Sequence, residues 1–136
     1  MTLRMLCPTP DQIDANWHHI QPFLSKACSR YGGMGNPALL YNCCKAGSSN
    51  YLICADGDKA KAMAVITFQK WGDEMVVYIN AAGGGSLKIW RQCQPLFEKW
   101  CADRGATSVV YDGSAAYQKL FPKGKPVSTT YRARIK

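Results

Sequence analysis

The sequence predicts an α+β fold: a mixed, mostly antiparallel central sheet of about six strands with helices on both faces. Three observations predict it. Apolar residues recur at helical spacing over 13–28 and again over 87–101. Between 50 and 80 lie three short apolar runs separated by glycine-centred turns. Those runs are apolar at successive positions, as in Ala64-Val65-Ile66 and Val76-Val77, so both faces of the sheet need cover. A chain of 136 residues, 47% hydrophobic and 19% charged, suits one core and a single domain over 1–136.

Each element has a local reason. Thr2 to Cys7 reads as a short strand. Thr9-Pro10-Asp11-Gln12 then offers an N-cap, a proline at the first helical position and a capping-box glutamine. Ile13, Trp17, Ile20, Leu24 and Ala27/Cys28 make one apolar face, with a kink or split expected at Pro22 and an end at Tyr31-Gly32-Gly33. Asn36-Pro37 restarts a short helix through Leu39, Leu40 and Cys43, and Gly47 suits a left-handed cap. Strands follow at Tyr51 to Cys54, Ala62 to Lys70 and Met75 to Asn80, with turns at Asp56-Gly57-Asp58 and Trp71-Gly72-Asp73. A helix over Ser86 to Arg104 turns Leu87, Trp90, Cys93, Leu96/Phe97 and Trp100/Cys101 inward, with a bend or break at Pro95. Thr107 to Tyr111 reads as a strand reached by a parallel crossover; a helix Ser114 to Leu120 and a last strand Val127 to Ile135 complete the order.

Charge is uneven along the chain. Of the net +8, six charges lie in the last 24 residues, on Lys119, Lys123, Lys125, Arg132, Arg134 and Lys136, with no acid among them. Such an end suits an anionic partner or a solvated surface. No apolar run is long enough for a membrane span and the first ten residues lack a signal-peptide core, so a soluble, non-secreted protein is expected. The seven cysteines are then expected as reduced thiols, with Cys54, Cys93 and Cys101 as small buried apolar groups. No metal site is expected: there is no Cys-x-x-Cys pair, and His18 and His19 are helix neighbours that should point roughly 100° apart.

Site chemistry concentrates in Asn80-Ala81-Ala82-Gly83-Gly84-Gly85-Ser86, which leads from a buried strand into a helix. Three consecutive glycines cost backbone entropy, which points to a tight turn or to close approach of a ligand to the main chain. Amide groups there, with the positive end of the helix dipole, can bind an anion. The Walker pattern is absent, and Lys88 stands where a Rossmann turn needs its third glycine.

A meander whose last strand ends in Gln/Arg-x-x-Gly-x-Gly/Ala at a helix start resembles the GNAT (Gcn5-related) N-acetyltransferases, and Asn80-x-x-Gly83-x-Gly85 has that spacing. The resemblance implies that Asn80, Gly83, Gly84, Gly85 and Ser86 hold the pyrophosphate of acetyl-CoA. Over residues 12–136 the chain also resembles small GNAT-like proteins of tailed bacteriophages. It shares Gly83-Gly84-Gly85, Trp90, the run Phe97 to Gly105 around Trp100, and the run Gly113 to Pro122, departing at Cys101, Tyr117 and Phe121.

Catalysis in such a family needs a base for the acceptor amine and an acid for the leaving thiolate. The resemblance of Tyr117-Gln118-Lys119-Leu120-Phe121 to the family's Tyr-Glu-Lys-Leu-Gly-Phe makes Tyr117 the candidate acid, although the phage relatives carry tryptophan there. Asp112, at the carboxyl end of a strand, is the candidate base, while Asp73 and Glu74 sit at a turn.

What the phage resemblance implies first is a degenerate GNAT fold acting as a virion-associated structural or binding component, partnered by phage virion proteins, in the virion or the host cytoplasm. The alternative it implies is an active acetyl-CoA-dependent N-acetyltransferase modifying an amine of a host or phage protein. A second alternative, nucleic-acid binding, rests on the basic tail, where Arg132 and Arg134 share one strand face.

Overall fold

The computed structural model describes residues 2–29, 36–84, 86–112, 119–127, 131 and 133–135. Its sheet has five strands, β1 (Leu3–Leu6), β2 (Asn50–Asp56), β3 (Lys59–Trp71), β4 (Glu74–Gly83) and β5 (Ala106–Val110), lying side by side in chain order. The first four are antiparallel to their neighbours, and β5 runs parallel to β4 after a helical crossover. Helices α1 (Pro10–Ala15), α2 (Trp17–Ser29) and α3 (Pro37–Ala46) connect β1 to β2, and α4 (Leu87–Ala102) connects β4 to β5.

Register explains why both faces had to be apolar. Tyr51 lies opposite Val65 and Ile53 opposite Met63; these side chains pack with Ile13, Ile20, Leu24 and Cys44 of the first three helices. One residue along, Leu52 lies opposite Ala64, Ile66 opposite Ile79 and Phe68 opposite Val77, and this set meets Phe97 and Cys101 of α4 on the other face. Val65, Ile66 and Val77 are wholly buried. Each such side chain contributes about 1.5–3 kcal/mol on leaving water.

The start of α1 is the capping box read from the sequence: Thr9 Oγ1 accepts from the Gln12 amide at 3.3 Å and Gln12 Oε1 accepts from the Thr9 amide at 2.9 Å. The break after it does not fall at Pro22. It falls at Asn16, whose Nδ2 donates to the Gln12 carbonyl at 2.8 Å while its own carbonyl accepts from His19 and Ile20 and so begins α2. Pro22 is accommodated inside α2, and Pro95 inside an unbroken α4. Both prolines are exposed, so water can serve the carbonyl each leaves unbonded. The rings of His18 and His19 do not diverge; their centroids are 3.9 Å apart.

Asn36 caps α3 through its Oδ1, and Gly47 ends it at φ +80. Cys44, Cys54, Cys93 and Cys101 are buried free thiols and Cys7 is exposed.

At the far edge, Tyr111 stacks on Phe121 with centroids 5.3 Å apart, and a turn closed by the Gly124 amide on the Phe121 carbonyl at 2.9 Å seats Gly124 against the Tyr111 hydroxyl. The expected sixth strand is not formed at the described residues of 127–135, which are not in strand conformation. Val127 is 67% exposed, Tyr131 87% and Ile135 100%. Residues 119 and 120 are helical, while most of the helix expected over 114–120 and the end expected at 31–33 lie outside the described residues.

Candidate functional site

Strand β4 carries the site, and it is irregular where it matters. Val65 pairs with Ala81 but Ile66 pairs with Ile79, so Asn80 is an extra residue in β4. The bulge shifts the alternation: Ile79 and Ala82, three residues apart, both pack on the α4 side. Asn80 is fixed there by side chains from two neighbouring segments. Thr67 Oγ1 donates to Asn80 Oδ1 at 2.7 Å, and the Ser49 hydroxyl lies 3.0 Å from Thr67 Oγ1. Because the one Thr67 proton is committed to Asn80, Ser49 donates to Thr67. Ser49 is 7% exposed.

Just before the bulge, β4 parts from β5. Their pairing runs from Met75↔Ala106 to Tyr78↔Val110, after which β4 continues to Gly83 with β3 as its partner among the described residues. The main chain of residues 79–83 therefore has an edge that no described strand fills. At the mouth of this opening the Tyr78 hydroxyl donates to Asp112 Oδ2 at 2.6 Å, joining the middle of β4 to the chain just beyond the end of β5. Asp112 is exposed.

Beyond Gly83 the chain turns into α4. Gly84 has φ +76, a left-handed conformation that favours glycine, and it packs against the main chain of Lys61 and Ala62 at ordinary contact distance. Trp90, one turn into α4, reaches back to donate its Nε1 hydrogen to the Gly84 carbonyl at 3.0 Å. Ser86 is the N-cap, its Oγ accepting from the Ile89 amide at 3.3 Å. The amides of Leu87 and Lys88 have no partner among the described residues. Lys88 is exposed and Lys61 half-buried, so the turn has cationic neighbours and free donors at the positive end of a 16-residue helix.

No protein-family model matches the chain, and no curated protein matches it in sequence. Solved structures do match in fold. A possible acetyltransferase from Clostridium difficile 630 superposes with a TM-score of 0.67 at 14% identity, covering 100% of this chain and 99% of that one. An aminoglycoside acetyltransferase from an uncultured soil metagenomic sample gives 0.67 at 13%, with 100% of each chain covered. The ribosomal-protein-alanine N-acetyltransferase from Brucella melitensis biovar Abortus 2308 gives 0.69 at 6%, covering 99% and 100%. The fold is GNAT-like.

Within the GNAT-like fold, the residues singled out from the sequence fall in three places. Gly83 ends β4, Gly84 makes the turn and Ser86 caps α4, so these three are contiguous at the helix start. Asn80 is not part of that turn. It lies in β4, with its carboxamide oxygen turned to Thr67. Asp112 stands at the carboxyl end of β5, bonded to Tyr78. Gly85 and Tyr117 lie outside the described residues. Three polar residues of the site went unread in the sequence: Tyr78 and Thr67 sit inside apolar runs that look like ordinary strand, and Ser49 lies in a loop. A β-strand alternation starting from Asn80 does place Tyr78 on its face, but only the register brings Thr67 and Ser49 to it.

Proposed function

We propose that this chain is an acetyl-CoA-dependent N-acetyltransferase acting on an amine. The observation that supports it most is the parting of β4 and β5 after Tyr78, which leaves the β4 main chain open beside a helix start with free amides. A thioester-bearing arm can lie along that edge while its pyrophosphate meets Gly83, Gly84, Gly85, Ser86 and the Leu87 and Lys88 amides. The turn fits an anion: Gly84 takes the left-handed conformation at φ +76 that a close main-chain turn needs, and Lys61 and Lys88 lie beside it. The solved structures of like fold include acetyltransferases for aminoglycosides and for a ribosomal-protein alanine.

When bound, acetyl-CoA supplies an acetyl group activated as a thioester. Asp112, held by Tyr78 through Oδ2, keeps Oδ1 without a partner among the described residues and accepts the proton that the acceptor amine loses on attack. Tyr117 serves as the proton donor to the departing sulfur. The new N–C bond and the broken C–S bond are thus balanced by one proton in and one proton out. The virion-associated role rests on the phage resemblance alone, and no separate feature of the fold favours it.

The deciding experiment is thermal unfolding with acetyl-CoA, with ATP as a phosphate-bearing control. Ligand at 100 times its dissociation constant stabilises by about 2.7 kcal/mol, a rise of several degrees in midpoint. The expected result is a rise with acetyl-CoA well above that with ATP, followed by acetylation of amines. No rise with acetyl-CoA overturns the reading.

A further inference from the structure

The hydrogen-bond chain at the β4 bulge has a direction, and that direction leaves a donor over. Ser49 donates to Thr67, and Thr67 donates to Asn80 Oδ1 at 2.7 Å. Thr67 belongs to β3, so the carboxamide oxygen is turned toward that strand. Oxygen and nitrogen diverge from one planar carbon, so Nδ2 and its two hydrogens are turned away from Thr67. They have no partner among the described residues. Asn80 is half-buried, and no wholly buried side-chain nitrogen or oxygen among the described residues lacks a partner. Nδ2 is therefore an aimed donor that reaches solvent.

Its place along β4 says what it could meet. The pairing of β4 with β5 ends at Tyr78↔Val110, just before Asn80, and the turn at Gly84 lies just after it. Four residues of extended strand from Gly84 back to Asn80 span about 13 Å. Tyr78 lies opposite Thr67, so Asn80 shares a sheet face with the hydroxyl that holds Asp112. An arm anchored by its pyrophosphate at the turn and following β4 toward Asp112 brings its reactive end to Asn80.

We propose that Asn80 Nδ2 donates a hydrogen bond to the thioester carbonyl oxygen of acetyl-CoA, with Thr67 and Ser49 as the residues that aim it. The inference rests on the acetyl-CoA reading above and adds a catalytic residue to it. Asn80 meets the oxygen that takes up an electron pair as the N–C bond forms and gives it back as the C–S bond breaks, the protons being carried by Asp112 and Tyr117 as above. A donor already aimed at that oxygen favours the step.

The test compares acetyl-CoA with CoA, which has the same pyrophosphate and arm but no carbonyl on its sulfur. Asn80→Asp keeps an oxygen for Thr67 and replaces the nitrogen by a second oxygen. In the isotope-labelled full chain, the Asn80 side-chain amide signal is recognised by its absence from Asn80→Asp, or from Asn80→Ala should the first fold poorly. That signal is expected to move with acetyl-CoA and to stay nearly in place with CoA. By calorimetry, Asn80→Asp is expected to lower the preference for acetyl-CoA over CoA by about 2- to 10-fold; a general effect of the new charge cancels in this ratio. Thr67→Val, which leaves Asn80 present but unaimed, is expected to lower the same ratio. No binding of either coenzyme overturns the acetyl-CoA reading and this inference with it. Binding of both with an unmoved Asn80 signal, or with a ratio that Asn80→Asp leaves unchanged, overturns this inference alone.

Discussion

Thr67 holds Asn80 by a 2.7 Å hydrogen bond across the point where β4 takes in its extra residue. The bond belongs to a directed chain that begins at the Ser49 hydroxyl. Thr67→Val keeps the shape of the side chain and deletes the donor, leaving Ser49 and the Asn80 carboxamide without their partner in a part-buried place. The expected cost is about 1–3 kcal/mol in urea unfolding. Asn80→Ala removes the acceptor, and the double variant is expected to cost less than the two singles together by about 0.5–3 kcal/mol. Strict additivity would show that the bond does not organise the bulge.

That relationship also marks where sequence reasoning stops. Caps and turns were legible because their signals are local: Thr9 and Gln12, Asn36 and Pro37, and Gly47 each act within a few residues, and the structure places them as read. The two covered faces of the sheet were legible from Ala64-Val65-Ile66, because a strand apolar at successive positions has no side to give to water. The bulge at Asn80 was not, since it depends on pairing with a strand 15 residues earlier. Nor was the Tyr78–Asp112 bond, which joins residues 34 apart through the parallel crossover. No break falls at Pro22 or Pro95, because an exposed proline costs a helix one bond, and packing of the opposite face outweighs it. At the described residues of 127–135 no strand forms, because alternation favours an extended segment without supplying the neighbour it must pair with.

Pro95 offers a gain in stability. It is exposed within α4, where a proline removes the bond to the Arg91 carbonyl and crowds the preceding turn. Pro95→Ala restores an amide donor and is expected to stabilise the fold by about 1–3 kcal/mol. Chemical denaturation measures it directly. No change would mean that α4 has already relaxed around the ring.

Alkaline pH should unfold this protein in a way its thiols predict. Burial, with Cys43 nearby, pushes the Cys44 thiol up to about 12. Burial also pushes up Cys93, helped by its hydrogen bond with Cys54, and Cys101, where Arg104 pulls partly the other way; both reach about 12. An ordinary thiol in the unfolded chain titrates near 9.0. Above that pH the unfolded state loses protons that the folded state keeps, so stability falls as pH rises from about 9 to about 12 and is fully present below. Each thiol contributes up to about 1.4 kcal/mol per pH unit in that window. Urea midpoints measured from pH 7 to 11 are expected to be flat at first and then to fall. In Cys44→Ala, the fall should be shallower by one thiol's share, and an unchanged slope would remove Cys44 from the account.

The turn at Gly84 can be probed without touching a glycine. Trp90→Phe keeps an aromatic ring on α4 but deletes the Nε1 donor that holds the Gly84 carbonyl, at an expected cost of about 1 kcal/mol. Lys88→Glu changes an exposed side chain in the first helical turn; its effect on folding should stay within about 0.5 kcal/mol. If the turn and the free amides of Leu87 and Lys88 receive a pyrophosphate, both variants should reduce the rise in unfolding midpoint that acetyl-CoA produces. They should do so for different reasons. Trp90→Phe loosens the main chain that forms the cradle, so its loss should persist at high salt. Lys88→Glu places a negative charge beside the helix start, so its loss should shrink as ions screen it. A full acetyl-CoA response in both variants would leave the glycine turn as architecture alone.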